Sequence, residues 1–367
     1  MPKVYIKTFG CQMNVYDSEL IEQGLESKGY FLAKNREEAD LLIVNTCAVR
    51  GHAEERALSA IGELKKLKQK NPNIIIVLAG CLAQHHQKKI FKRFAQIDLV
   101  LGTDQVADLP SLLDGFLANR RKTAAVGRKR VSARLKGRGV KHSFVTIIRG
   151  CDNACAYCIV PSVRGPAVSR PKEEILAEIE GLAASGTKEI TLLGQNVNAY
   201  RQDGSGFSSL LSRIEQIAGI EKIGFVTNHP KDMIREIIET ISGMKKFSGS
   251  LHLPVQSGSD RVLEKMNRGY TRKHYLQLIK NIRQFLPNCR ITTDIIVGFP
   301  GETEADFKQT LSLVEEIKFA AAYTFKYSLR PGTVSSRLEN NIPLEVKKER
   351  LAALNKKLKE ISAQICD

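Results

Sequence analysis

At 367 residues the chain is too long for one ordinary core, and its 43% apolar content is enough to build two. Lys and Arg total 56 against 39 Asp and Glu, a net charge of +17 that points to polyanionic partners, nucleic acid first and an anionic membrane surface second. No signal-peptide pattern opens the sequence, and its most apolar run, Ile74 to Ala79, is far too short to span a bilayer, so a soluble cytoplasmic protein with no membrane association is expected.

Residues 1–118 read as strand–helix alternation. Val4–Phe9, Leu41–Val44 and Ile74–Ala79 are strand-like, and Asp17–Lys28 and Ala53–Gln69 are helical. Short apolar strands separated by helices predict an α/β domain with an open parallel, Rossmann-like sheet. Cys11, Cys47 and Cys81 each follow one of these strands. The C-terminal ends of parallel strands share one edge, where ligands bind, so three cysteines distant in sequence are expected to converge. The competing view is three buried small hydrophobes.

Residues 119–142 form a basic linker. Ten Lys and Arg residues, among them Arg128, Lys129 and Arg130, occur with no acid. Such a run resists packing, and it is expected to act both as a tether and as a strap on nucleic-acid phosphates. The βα rhythm resumes over 143–335. Strand-like runs are Phe144–Ile148, Glu189–Leu193, Lys222–Val226, Gly249–His252, Ile291–Val297 and Ala321–Phe325, with helices Lys172–Ser185, Ser208–Ala218, Lys231–Ser242, Arg272–Phe285 and Glu304–Ile317 between them. Six such units predict a partial or complete (β/α) barrel with its site at the C-terminal strand face. Residues 336–367 hold a Lys-rich amphipathic helix, Pro343 to Ile365.

Right after the first barrel strand comes Cys151-Asp-Asn-Ala-Cys155-Ala-Tyr157-Cys158. Three thiolates at this spacing can reach three corners of one four-iron cluster, leaving one iron open. Structural zinc is the alternative, but it takes four ligands and this loop has no fourth. Eight cysteines in a chain of cytosolic character favour metal or redox chemistry over disulfides. Two Gly-containing turns at strand ends, Gly194-Gln195-Asn196 and Gly298-Phe-Pro300-Gly301-Glu302, are expected to line a cofactor pocket, since small residues let backbone approach a ligand. Asp294, Lys326 and Arg330 are candidate substrate contacts. His229, His252 and Gln256 also lie at strand ends.

The CxxxCxxC loop resembles the signature of the radical S-adenosylmethionine superfamily. Thr8-Phe-Gly-Cys-Gln-Met-Asn14, Asn45-Thr-Cys47, Gly80-Cys-Leu-Ala-Gln84, Ser169-Arg-Pro171 and Leu193-Gly-Gln-Asn-Val-Asn-Ala-Tyr200 extend the likeness over essentially the whole chain to the methylthiotransferase family, in its tRNA-modifying branch. The resemblance implies two [4Fe–4S] clusters, one on Cys151, Cys155 and Cys158 and one on Cys11, Cys47 and Cys81, all six being catalytic. It also implies S-adenosyl-L-methionine as methyl donor and as source of a 5′-deoxyadenosyl radical, with Tyr157 near the adenine. The implied reaction places a methylthio group on C2 of N6-isopentenyladenosine at position 37 of tRNA. Action on a threonylcarbamoyl-type adenosine or on a ribosomal protein is the alternative, and a non-catalytic iron–sulfur protein is another. Implied partners are tRNA, an electron donor such as a flavodoxin or ferredoxin, and a sulfur donor, with the enzyme acting as a monomer. Family members continue past the long helix into a TRAM-type β-barrel. The sequence stops where that would begin, so this domain is expected to be absent. Cys289 and Cys366 match no ligand position.

Overall fold

The computed structural model of the protein describes residues 1–48, 51–129 and 133–366, so Arg130 and Asp367 lie outside the described residues. The chain divides into two compact units. The first holds Met1–Arg138, Phe144–Thr146 and Ile159–Pro166, and the second holds Gly139–Ser143, Ile147–Cys158 and Ala167–Asp367.

In the first unit six parallel strands line up in the order Phe31–Leu32, Lys3–Thr8, Leu41–Thr46, Ile75–Gly80, Leu99–Leu101, Thr123–Ala125. Leu41–Thr46 and Ile75–Gly80 are buried at every residue, as expected of parallel strands covered on both faces. The strand order reverses between Lys3–Thr8 and Leu41–Thr46, which makes that gap the topological switch point of the sheet. The basic linker is not a free tether. Its Thr123–Ala125 segment pairs with Leu99–Leu101 as the edge strand, and the segment as far as Arg138 belongs to this unit. The first helix runs Gln12–Glu26, five residues earlier than Asp17. Gly10, at φ 134°, turns the chain out of the strand, and Cys11 is the helix N-cap. Asn14, Asp17 and Ser18 are polar yet buried, which hides this start from a hydrophobicity pattern.

The second unit is an arc of parallel strands wrapped by helices. Glu189–Leu193 pairs with Lys222–Phe225, and Ser250–His252 pairs with Arg290–Val297, which pairs with Ala321–Lys326. A parallel bridge from Ile223 to Phe247 joins the two halves. Lys141 and Ile147 flank the strand His142–Thr146, and both bond to Glu189–Leu193 or its edge: Glu189 N–H donates to Lys141 O, and Ile147 N–H donates to Leu193 O, both at 2.9 Å. Arg290–Val297 alternates between buried and half-buried residues, so Thr292, Asp294 and Ile296 share the face opposite the helices. Thr303 caps the following helix through a reciprocal pair: its Oγ1 accepts from Asp306 N–H at 3.3 Å, and Asp306 Oδ2 accepts from Thr303 N–H at 2.7 Å. The helix Leu344–Cys366 closes the described chain. No helix among the described residues is long and apolar enough to cross a membrane.

Candidate metal centres

Cys11, Cys47 and Cys81 converge at the sheet's switch point. Thr46 and Gly80 are register partners, so the residues that follow them, Cys47 and Cys81, leave adjacent strands at the same level. A Cβ on Gly10 would lie 2.5 Å from the Cβ of Cys47, so only glycine lets the Cys11 turn sit this close. A buried amide network fixes the turns. Asn45 Nδ2 donates to Asn14 O at 2.8 Å and to Ser18 Oγ at 2.9 Å, while Asn14 Nδ2 donates to Asn45 Oδ1 and Thr46 O, both at 3.0 Å. The Cys11 thiol is pulled down to about 6, first by its hydrogen bond with Cys47 and then, against burial, by the Arg164 charge and nearby backbone N–H groups. Burial pushes the Cys81 thiol up, opposed by Arg164.

Arg164 comes from the short helix Val160–Arg164, which follows the CxxxCxxC loop in sequence but belongs to the first unit. Its buried guanidinium meets Cys81 and donates from Nη2 to Asp17 Oδ2 at 3.2 Å. Its Nη1 is buried with no hydrogen-bond acceptor among the described residues. Three soft donors, one of them anionic at neutral pH, beside an incompletely satisfied buried cation fit an anionic iron–sulfur group held by thiolates.

In the second unit Cys151, Cys155 and Cys158 occupy one loop, pinned by Asn267 Nδ2 to Ala154 O at 2.8 Å and by Ala156 N–H to Met266 O at 2.9 Å. Burial raises the Cys151 thiol. Arg268 Nη1 donates to Cys155 Sγ at 3.3 Å and to Tyr157 OH at 3.2 Å. His229 Nε2 lies 3.9 Å from Cys155 Sγ, and burial, helped by the charges of Arg268 and Lys231, depresses this imidazole to about 2, so it is neutral. Three thiols on one loop and a buried cation against one of them fit a cluster that keeps a position open.

The expected pocket residues fall into two groups. Gln195 Oε1 accepts from Gly150 N–H at 2.6 Å, one residue before Cys151. Asn196 Nδ2 donates at 2.6 Å to Asp232 Oδ2, which also accepts from Asn153 inside the Cys loop. Asn196 Oδ1, Asn228 Oδ1 and Gln256 Oε1 are buried without partners among the described residues, as suits atoms that meet a polar ligand. Gly194, Tyr157, Gly298 and Glu302 have structural work of their own. A Cβ on Gly194 would lie 2.3 Å from Ile148 Cγ2, and one on Gly298 would lie 2.4 Å from the Lys347 side chain. Tyr157 packs in the apolar cluster of Ala156, Phe299 and Tyr327. Glu302 Oε2 accepts from Gly298 N–H at 2.6 Å and from Arg350 Nη1 at 2.8 Å, tying the Gly298–Gly301 turn, with Pro300 inside it, to the C-terminal helix. His252 Nε2 stands 3.5 Å from Asp294 Oδ2 on the inner strand face, with Tyr323 beside it. Cys289 is half-buried between a helix and a strand, and burial raises its thiol to about 11.

Of the basic residues expected to strap nucleic acid, Arg128, Lys129 and Arg138 are engaged by protein groups. Arg128 donates to Val163 O and Ser162 O, both at 3.1 Å, and Lys129 pairs with Asp108. Arg138 pairs with Glu22 and Glu26. The sequence reading missed Arg164, Asp17 and Arg268, whose partners are more than a hundred residues away.

Family models match twice: the Radical SAM superfamily over residues 145–314, and Uncharacterized protein family UPF0004 over residues 3–102. A tRNA-2-methylthio-N(6)-dimethylallyladenosine synthase of Caldicellulosiruptor saccharolyticus is 47% identical over 98% of this chain and 78% of its own length. A protein of the same name from Pelotomaculum thermopropionicum is 44% identical over 99% of this chain and 84% of its own. The chain belongs to the radical S-adenosylmethionine methylthiotransferase family. Among solved structures, this methylthiotransferase shares its fold with the radical methyltransferase TsrM from Kitasatospora setae, with cobalamin and a [4Fe–4S] cluster bound (TM-score 0.64, 13% identity, 91% of this chain and 74% of that one). It also shares it with the cobalamin-dependent radical enzyme OxsB (TM-score 0.60, 12% identity, 98% and 56%). At such identities only the fold is common.

Proposed function

We propose that the protein is a tRNA-2-methylthio-N6-dimethylallyladenosine synthase, converting N6-isopentenyladenosine 37 of tRNA to its 2-methylthio derivative. Near-full-length identity of 44–47% to relatives of that name supports this assignment. The observation that carries it is the presence of two separate thiol triads, one at the first unit's switch point and one on the CxxxCxxC loop. Sulfur insertion needs a second centre that an ordinary radical enzyme lacks. When bound, two [4Fe–4S] clusters and S-adenosylmethionine supply one-electron chemistry, sulfur and the methyl group.

The protein's own residues supply placement. Cys151, Cys155 and Cys158 hold one cluster, and Cys11, Cys47 and Cys81 hold the other. Gln195, Asn196, Asn228 and Gln256 offer polar atoms to the cofactor. Neutral His229 and the packing of Ala156, Phe299 and Tyr327 bury the Cys155 part of the loop. The His252–Asp294 pair and Tyr323 form a polar, aromatic face suited to a purine. The +17 charge supports tRNA as the polyanionic partner. A flavodoxin or ferredoxin supplies electrons, a separate donor replenishes the sulfur at the second centre, and the enzyme works as a cytoplasmic monomer.

The test is iron and acid-labile sulfide content after anaerobic reconstitution, for the parent and for a Cys151/Cys155/Cys158→Ala triple variant, followed by nucleoside analysis of isopentenylated tRNA. About eight irons in the parent and about four in the variant are expected. About four and none would mean that Cys11, Cys47 and Cys81 bind nothing, and the assignment falls.

A further inference from the structure

Arg268 is an electrostatic anomaly. It is 4% exposed, and no carboxylate among the described residues pairs with its guanidinium. Its contacts are Cys155 Sγ and the Tyr157 hydroxyl on Nη1, Pro254 O at 2.7 Å on Nη2, and Tyr270 OH at 3.0 Å on Nε. Tyr270 is itself locked by donating to Val255 O at 2.8 Å, and its ring lies 5.3 Å from the guanidinium carbon. The fork is therefore clamped on three sides, and its remaining contact is the Cys155 sulfur, which has to be a thiolate to bind metal. Burying an arginine without an anion is strongly unfavourable. A fold that keeps one there is built for an anion that arrives on the Cys155 side.

We propose that Arg268 is the counter-ion and hydrogen-bond donor of the Cys155 ligand, and that it sets how readily the centre on Cys151, Cys155 and Cys158 accepts an electron. This rests on the assignment of those three cysteines as cluster ligands. One electron arrives from a low-potential one-electron donor, no bond to the protein breaks, and no proton moves. The reduced centre carries one more negative charge. A fixed cation and an N–H···S bond stabilise that charge more than they stabilise the oxidised form, so Arg268 raises the reduction potential. Arg268 is a positioning residue: it acts through Cys155.

The experiment is an EPR-monitored redox titration of the reconstituted full chain carrying Cys11→Ala, Cys47→Ala and Cys81→Ala, so that one cluster is read. At the potential where this background is half reduced, Arg268→Met is expected to lower the reduced-to-oxidised ratio about tenfold, equivalent to about 59 mV for one electron. Arg268→Lys, which keeps the charge but not the fork, is expected to lower it less. An unchanged ratio in Arg268→Met at about four irons per chain overturns the proposal. Should Arg268→Met fail to load iron, Arg268→Gln, which keeps a donor and drops the charge, carries the same comparison with the same two outcomes. Absence of iron from the background chain itself refutes the ligand assignment instead.

Discussion

Replacing Arg164 by Met in the metal-free protein tests whether the first thiol triad is built around a charge. The Asp17 side chain is wholly buried, the Arg164 side chain nearly so, and the two meet at 3.2 Å. Taking away the guanidinium removes one charged partner of a buried carboxylate, and breaking a buried pair from one side costs about 3–5 kcal/mol. Replacing both partners, as Asp17→Asn with Arg164→Met, removes both charges of the pair, so most of that loss should return. Native-state hydrogen exchange of the Leu41–Thr46 amides reads the first unit alone and gives both free energies. The iron content of the same variants then separates stability from site chemistry. The double variant should be stable yet load the first triad poorly, because the cation that faces Cys11 and Cys81 is gone. A single variant costing under about 1 kcal/mol, or a double variant no more stable than the single, would refute the reasoning.

Three further outcomes follow from particular contacts. Gly80 sits at φ 91°, and an added Cβ would lie 2.5 Å from Asn45 Oδ1 and from Thr46 O, so Gly80→Ala should cost about 1–3 kcal/mol by urea unfolding and lower iron content at the first triad. His229 is held at about 2 in the fold against 6.5 unfolded; below pH 6.5 the unfolded chain takes a proton that the folded one refuses, so stability is complete above that pH and falls below it. By pH 5 this single group should remove about 2 kcal/mol, and His229→Gln should flatten that part of the pH profile. Since Arg128 and Lys129 are engaged by protein groups, Arg128→Gln with Lys129→Gln should change the slope of log K for tRNA against log salt by less than one unit, whereas two free phosphate contacts would change it by about two.

What could be read from the sequence was whatever local pattern controls. Glu189–Leu193, Arg272–Phe285 and Glu304–Ile317 begin and end where their patterns and caps place them. The convergence of Cys11, Cys47 and Cys81 was readable too, because parallel topology brings strand ends to one edge whatever the loops do. Illegible were features whose determinants lie far apart. Thr123–Ala125 is a strand only because Leu99–Leu101 offers it an open edge, and its basic surroundings argue for coil. The start of the first helix is hidden because Asn14, Asp17 and Ser18 are inside for their hydrogen bonds and charge, not for their hydrophobicity. Gly194 and Gly298 were expected to let backbone approach a ligand, whereas the protein atoms packed against them belong to Ile148 and Lys347.

The two triads solve one electrostatic problem in different ways. Each sets a buried arginine against thiols that have to be anionic to bind metal. At the first site Asp17 already offsets the Arg164 charge and the low Cys11 thiol adds a second anion, so two anions face that one cation before any metal is bound. At the second site Arg268 has phenols and a carbonyl and, among the described residues, no acid. A cation left uncompensated is the more responsive to a change in charge beside it, since no neighbouring anion cancels its field. An uncompensated arginine therefore belongs at the centre that must accept an electron. A compensated one belongs where the task is to hold three strand-end thiols in place.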